Sequence, residues 1–263
     1  MFIHNINPTL LKLGFLEIRF YGIVYLLGFL LVYLALYKNK NKLKIEKEQI
    51  ENLLLLGLIG MLVGARIFYF LFDNFYLLIT KPFEILMVWH GGMSFFGALL
   101  GIFLSFYFYL KKINIDWKKV ADVVVIPITI ALILGRIANF INGELIGTAS
   151  TLPWCTIFSK IDYICRHPYQ IYASLSHLLL LFILIPINKI KERKDNLLFL
   201  TFLLGYSILR FLTDFFRQDQ RFLFLTSWQY LSIVLAIISI YLLLKQRINK
   251  QQPTNKIQEE QNE

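Results

Sequence analysis

Residues 121–147 read ADVVVIPITIALILGRIANFINGELIG. The stretch 121–138 is apolar apart from Asp122, Thr129 and Arg136, on every face of a helix. A helix needs roughly 20 mainly apolar residues to cross a bilayer, so this segment predicts a span. Arg136, Asn139 and Gly143 then fall on one helical face, with Asn142 and Glu144 following where the helix should end.

Working outward, six further stretches have the same character: 15–37, 50–72, 93–110, 169–186, 196–215 and 224–244. Apolar residues make up 57% of the chain, which excludes an ordinary water-soluble globule. The fold class expected is therefore an all-α polytopic membrane protein with seven transmembrane helices, forming one domain over 1–244. The first stretch carries Glu17 and Arg19 and is followed by no small-residue cleavage site, so it reads as a retained span and not as a signal peptide. The remainder, KQRINKQQPTNKIQEEQNE at 245–263, is polar and is expected to be disordered.

A net charge of +10 could suggest nucleic-acid binding, but its distribution says otherwise. Lysine and arginine number five in 38–48, four in 111–119, four in 189–194 and four in 245–263. The intervening connections and the N-terminal arm hold only Lys12, Arg19, Lys81, Lys160, Arg166, Arg217 and Arg221. By the positive-inside rule the N-terminus is expected outside, the C-terminus in the cytoplasm, and no nucleic acid as partner. Cys155 and Cys165 share one predicted outside loop, between spans four and five, where an oxidising compartment would permit a disulfide.

Ionisable side chains inside a span are costly and become functional candidates. Arg66, Arg136 and Arg210 qualify, each in the half of its span nearer the predicted outer face. Tyr21 and the loop His90-Gly91-Gly92-Met93-Ser94 are predicted at the same level. Tyr206, Arg210, Asp214 and Arg217, four, four and three residues apart, keep within a sector of about 80° on a helix. The plainer reading is that Arg210 and Asp214 neutralise each other inside the bundle. A guanidinium matches phosphate bidentately, and amide and carboxylate neighbours can hold it in place, so an anionic lipid headgroup is the expected ligand. Gly60 with Gly64 and Gly97 with Gly101 have small-xxx-small spacing, which helix packing alone explains. Trp89, Trp117, Trp154 and Trp228 read as an interfacial belt. His4 and His177 have no companion chemistry and read as structural or exposed, whereas His90 and His167 lie near the outer polar layer. No His/Cys/Asp/Glu cluster has metal-ligand spacing at that level, so neither metal nor cofactor is expected.

GRIANFINGELIG resembles the signature of prolipoprotein diacylglyceryl transferases, matching it at Gly135, Arg136, Asn139, Phe140, Asn142, Gly143, Glu144 and Gly147. The likeness extends to Arg19-Phe20-Tyr21-Gly22, Gly64-Ala65-Arg66, Gly91-Gly92-Met93-Ser94-Phe95 and Asp122. It continues through Leu152-Pro153-Trp154, Arg166-His167-Pro168, Gln170, Tyr172, Tyr206, Arg210, Phe215-Phe216-Arg217 and Gln229. The resemblance implies transfer of the diacylglyceryl group of phosphatidylglycerol to the lipobox cysteine thiol of a prolipoprotein, with release of glycerol phosphate. It also implies a multi-pass protein of the bacterial inner membrane with its active site toward the periplasm. Arg136 and Arg210 would be catalytic, and Tyr21, Arg66, Asn139, Asn142, Glu144, Tyr206 and Asp214 would bind lipid with Arg136. The acceptor brings its own nucleophile, so the enzyme needs to supply cationic groups for the departing phosphate and a proton acceptor.

The chain departs from the family pattern at Phe96, where histidine is usual, and the expected general base is missing there. His90, six residues earlier, is the candidate replacement. Asp214 stands where glutamate is usual, Ala173 where glutamate commonly follows the tyrosine, and Thr226-Ser227-Trp228 where Met-Gly usually precedes the glutamine. Two other functions are compatible with these features. One is a non-catalytic descendant that binds phosphatidylglycerol. The other is a lipid or solute transporter, against which stands the lack of an internal repeat with matched broken helices.

Overall fold

The computed structural model describes residues 1–13, 16–87, 90–190 and 193–260, so Trp89 lies outside the described residues. Among these, nine α-helices follow in chain order: α1 (Phe20–Lys38), α2 (Lys40–Leu43), α3 (Lys47–Phe68), α4 (Phe75–Thr80), α5 (Phe95–Lys112), α6 (Trp117–Asn142), α7 (Tyr169–Asn188), α8 (Leu197–Thr213) and α9 (Ser227–Glu260). Among the described residues, six stretches are long and apolar enough to cross a membrane: Phe20–Lys38, Lys47–Phe72, Trp117–Asn142, Tyr169–Asn188, Leu197–Phe216 and Ser227–Ile248. Helices satisfy their own backbone groups, which is what lipid demands of a spanning segment. The protein is thus an all-α polytopic membrane protein. The expected third span forms α5, which is not one of the six; it has 18 residues with Lys111 and Lys112 in its last turn.

Boundaries shift where local polar groups decide them. The first span starts at Phe20 and not at 15, because β2 (Thr9–Leu13) and β3 (Leu16–Arg19) pair antiparallel and Lys12 meets Glu17 at 3.2 Å. Helix α6 starts earlier than the apolar pattern suggests, since the Asp116 carboxylate accepts from the Lys118 N–H at 3.0 Å and caps the first turn. Helix α9 runs on past Leu244 to Glu260. Extending a formed helix requires no new nucleus.

The chain divides into two compact units, Met1–Val32 with Val124–Glu263, and Tyr33–Val123. In the second, α3 lies against α5 at backbone contact. A Cβ added at Gly64 would stand 2.2 Å from the Gly97 carbonyl oxygen, and one at Gly101 would stand 1.9 Å from that of Gly60. The small-xxx-small spacing is packing, as expected from its use between membrane helices.

In the first unit, Val125 of α6, Leu180 and Leu184 of α7 and Leu198 of α8 form a buried cluster, with α9 packed along α8. The connection between α6 and α7 folds over one end of these helices. Its strands β4 (Thr156–Phe158) and β5 (Cys165–Arg166) pair antiparallel, and β1 (Phe2–His4) adds parallel to β4 in the order β1-β4-β5. Cys155 and Cys165 form a disulfide across this hairpin. His4 is buried between the rings of Phe140 and Phe158. A short hairpin, β6 (Arg221–Phe222) with β7 (Leu225–Thr226), joins α8 to α9.

Candidate functional site

Helix α6 ends in a left-handed glycine turn. Gly143 has φ +70°, its N–H reaches the Phe140 carbonyl at 3.0 Å, and the Glu144 N–H reaches that of Asn139 at 3.0 Å. These two bonds are the Schellman closure, which satisfies carbonyls a helix end leaves open. They fold Glu144 back beside the helix. The Asn142 amide donates to Glu144 Oε1 at 3.1 Å and the Asn139 amide to Oε2 at 3.4 Å, so both carboxylate oxygens are held by amides of the same segment. From α7, the fully buried Gln170 donates to the Glu144 carbonyl. The acceptor oxygens Asn142 Oδ1 and Gln170 Oε1 are buried with no hydrogen-bond partner among the described residues.

Beyond this turn, Gly147 touches backbone on both sides. A Cβ there would stand 2.2 Å from the His167 carbonyl and 2.9 Å from that of Phe216. The segment is stitched by Thr148 N–H to Phe216 at 2.9 Å, Gln218 N–H to Ile146 at 3.0 Å and His167 N–H to Thr148 at 2.9 Å. Buried Arg166 ties the same loops together, donating to the Gly147 carbonyl, the Gln218 side chain and Asp162. The Arg166 guanidinium holds the Asp162 carboxyl below its usual titration range.

Arg210, at the end of α8, is 5% exposed and enclosed. It meets Asp214 Oδ1 through Nη2 at 3.2 Å and donates through Nη1 to the Tyr169 hydroxyl at 2.5 Å. That hydroxyl in turn donates to Asp214 Oδ1 at 3.3 Å, and Thr226 donates to Asp214 Oδ2 at 2.5 Å. The indole of Trp228 lies 5.1 Å from the guanidinium carbon. Helix α8 ends at Thr213 and Asp214–Phe216 is a tighter 3-10 turn, after which Arg217 pairs with Asp219 at 3.4 Å while its guanidinium carbon stays 5.9 Å from the ring of Tyr169, as does that of Arg210.

Arg136 is different. It is partly buried in α6, and among the described residues its guanidinium has no hydrogen-bond or ion-pair partner. Its charge acts on Tyr169 and on His177 of α7, as does that of Arg210. His177 is buried, its ring stacked on Tyr206 at 5.5 Å with 7° between planes, and its Nδ1 has no partner among the described residues. On α1, Tyr25 donates to the Tyr21 hydroxyl at 3.4 Å, and the Glu144 charge reaches Tyr25.

The other unit holds Arg66 and His90. Arg66 is 3% exposed and gives all its donors to one loop: Nε to Ile85, Nη1 to Gly91 and Gly92, Nη2 to Glu84 and Met87, each at a carbonyl. Sequence reading found the buried charge but not this use of it, since carbonyl partners leave no trace in side-chain pattern. In the clamped loop, the half-exposed His90 ring meets Glu84 through Nδ1 and Oε2 at 2.8 Å. Phe96 is exposed on α5.

Sequence reasoning gave no place to Tyr169 or Thr226 and did not anticipate that Gln170 binds the Glu144 turn. Trp154 and Trp228, read there as belt residues, also make polar contacts: Trp154 donates to the Tyr172 hydroxyl at 2.8 Å and Trp228 faces Arg210. Trp154, His167, Tyr172, Leu212 and Phe216 line an apolar cavity of about 470 Å³ beside the loop cluster.

A polytopic helical protein that keeps an arginine without a partner among the described residues, and a second, caged arginine, inside apolar helices is an integral membrane protein with costly polar groups in its spans. The prolipoprotein diacylglyceryl transferase family model matches residues 8–245. A protein from Coxiella burnetii (strain RSA 331 / Henzerling II), named phosphatidylglycerol–prolipoprotein diacylglyceryl transferase, is 37% identical over 242 residues, 89% of this chain and 93% of its own. Proteins of the same name from Ehrlichia ruminantium (strain Gardel) and Acinetobacter baumannii (strain SDF) are 35% and 36% identical, covering 93% and 91% of this chain and 98% and 92% of their own. The chain belongs to the prolipoprotein diacylglyceryl transferase family.

Proposed function

We propose that this protein transfers the diacylglyceryl group of phosphatidylglycerol to the lipobox cysteine of prolipoproteins. The observation that carries the reading is Arg136, a cation with no partner among the described residues, placed one helical turn before the Asn139–Asn142–Glu144 cluster. An unpaired guanidinium inside a bundle calls for an anion, and a phosphodiester supplies one. The orphaned acceptors Asn142 Oδ1 and Gln170 Oε1 suit the hydroxyls of a glycerol headgroup.

In this reading the acceptor thiol gives up its proton and its sulfur bonds the glyceryl carbon that carried the phosphate. The carbon–oxygen bond breaks with its electron pair leaving on glycerol phosphate. Arg136 and Arg210 stabilise the charge gathering on that oxygen. Asn139, Asn142, Glu144, Tyr21, Tyr206 and Asp214 bind the headgroup or hold these arginines, and Arg66 shapes its own loop. In this reading α5 is a seventh span, and the distribution of lysine and arginine supports an N-terminus outside, a C-terminus in the cytoplasm and the Glu144 end of α6 toward the periplasm of a bacterial inner membrane.

His90 is the candidate proton acceptor in this reading. Its support is the Glu84 carboxylate 2.8 Å from Nδ1, which orients the imidazole. His90→Gln is expected to lower transfer at least about a hundredfold near pH 7 and to regain much of it as pH approaches the ~8.5 of a free thiol. A rate profile identical to wild type would remove His90 from the reaction.

The function is tested by giving purified protein phosphatidylglycerol and a lipobox peptide in detergent. The cysteine should gain the mass of one diacylglyceryl group. No gain, where a family member works in the same detergent, contradicts the reading, and lipid binding without turnover would indicate a non-catalytic descendant.

A further inference from the structure

Arg210 reaches Asp214 by one contact only, Nη2 to Oδ1 at 3.2 Å, because an aspartate four residues on has a short stem and its other oxygen is taken by Thr226 at 2.5 Å. One contact leaves a guanidinium able to pivot. A second group prevents this: the hydroxyl of Tyr169, from the first turn of α7, sits between the two partners, accepting from Nη1 at 2.5 Å and donating to Oδ1 at 3.3 Å. Tyr169 and Asp214 are both fully buried, and Trp228 closes over the guanidinium. Nη1 is thereby hydrogen-bonded and Nη2 ion-paired, which restrains the plane of the fork, while Nε is buried with no partner among the described residues. A fork fixed in plane meets a phosphate with less loss of freedom than a mobile one.

We propose that Tyr169 is a positioning residue for the transfer reaction, standing in for the reach that the shorter carboxylate of Asp214 lacks. This rests on the assignment of Arg210 to the departing phosphate. Tyr169→Phe removes only the hydroxyl and leaves the ring in place. A longer carboxylate, Asp214→Glu, crowds a filled pocket while Tyr169 keeps its hydroxyl, but can take both terminal nitrogens once that hydroxyl is gone. Each single change is therefore harmful and the two together are less so.

The experiment compares wild type, Tyr169→Phe, Asp214→Glu and the double variant, each purified and normalised to folded protein. It reads kcat, KM for the peptide and inhibition by glycerol phosphate. Tyr169→Phe should lose at least about tenfold in kcat and in glycerol phosphate affinity, the loss for one hydrogen bond to a charged group, with peptide KM unchanged. The double variant should recover most of both. A double variant worse than either single, or a Tyr169→Phe protein equal to wild type, overturns the proposal. If wild type itself transfers nothing, the functional reading fails first, and retained glycerol phosphate binding then still scores the four proteins for the role of Tyr169.

Discussion

Arg136→Ala is expected to abolish transfer while the protein remains as well folded as wild type. The two halves of that result have one cause. With no anionic partner among the described residues, Arg136 contributes no ion pair to lose. An arginine within a span is itself unfavourable by about 2.5 to 3.5 kcal/mol, so its removal should leave stability unchanged or raised. The loss falls on the reaction. Removing one preorganised donor from a developing charge costs about 3 to 4 kcal/mol, or roughly a thousandfold in rate. Arg136→Lys should recover little, because a point charge cannot reproduce a two-donor fork. Turnover in detergent together with a thermal melt checks both halves. Near-normal turnover in Arg136→Ala would show the arginine to be structural.

Arg210→Ala is expected to damage fold and reaction together. Asp214 is fully buried, and its Oδ1 is shared between Arg210 and Tyr169. Deleting the arginine leaves that charge uncompensated, which costs about 3 to 5 kcal/mol, a large share of the stability of most domains. The informative companion is Arg210→Ala with Asp214→Asn, which removes both charges. The pair should restore folded yield toward wild type and leave transfer abolished. Recovery of transfer in that double variant would exclude Arg210 from the chemistry, and failure to recover yield would mean that the buried pair is not what the single change disturbs.

The contrast between the two arginines was not legible in the sequence. Hydropathy located both, since lipid admits long apolar helices and makes a charge within one conspicuous. What each charge meets is decided elsewhere. The i,i+4 spacing offered Asp214 to Arg210, but Tyr169 lies 41 residues from Arg210, and Thr226 reaches Asp214 across a hairpin. No periodicity within span six could bring them in, and the same blindness left His177 without a role until Tyr206 stacked on it.

Helix ends were similarly divided. The stop after Asn142 was readable because Gly143 can take the positive φ that the turn needs. The end of α8 was not, because its 3-10 turn is held by a backbone bond from Thr148, outside any local signal. The start of α1 was displaced for a comparable reason: residues before Phe20 had enough apolar character to extend the span, yet pair as a hairpin across Lys12 and Glu17. Arg66 marks the limit of the charge argument. It is a buried arginine in a span, as expected, but its donors end on five carbonyls.

The central claim is that this chain exchanges the phosphate of phosphatidylglycerol for a cysteine sulfur. Its most direct test is a stoichiometry: glycerol phosphate released and peptide thioether formed, counted in one reaction of purified protein, phosphatidylglycerol and lipobox peptide. Equal amounts rising together, and neither without peptide, are the result expected. Glycerol phosphate released without peptide, or lipid left intact by protein that binds it, would contradict the account.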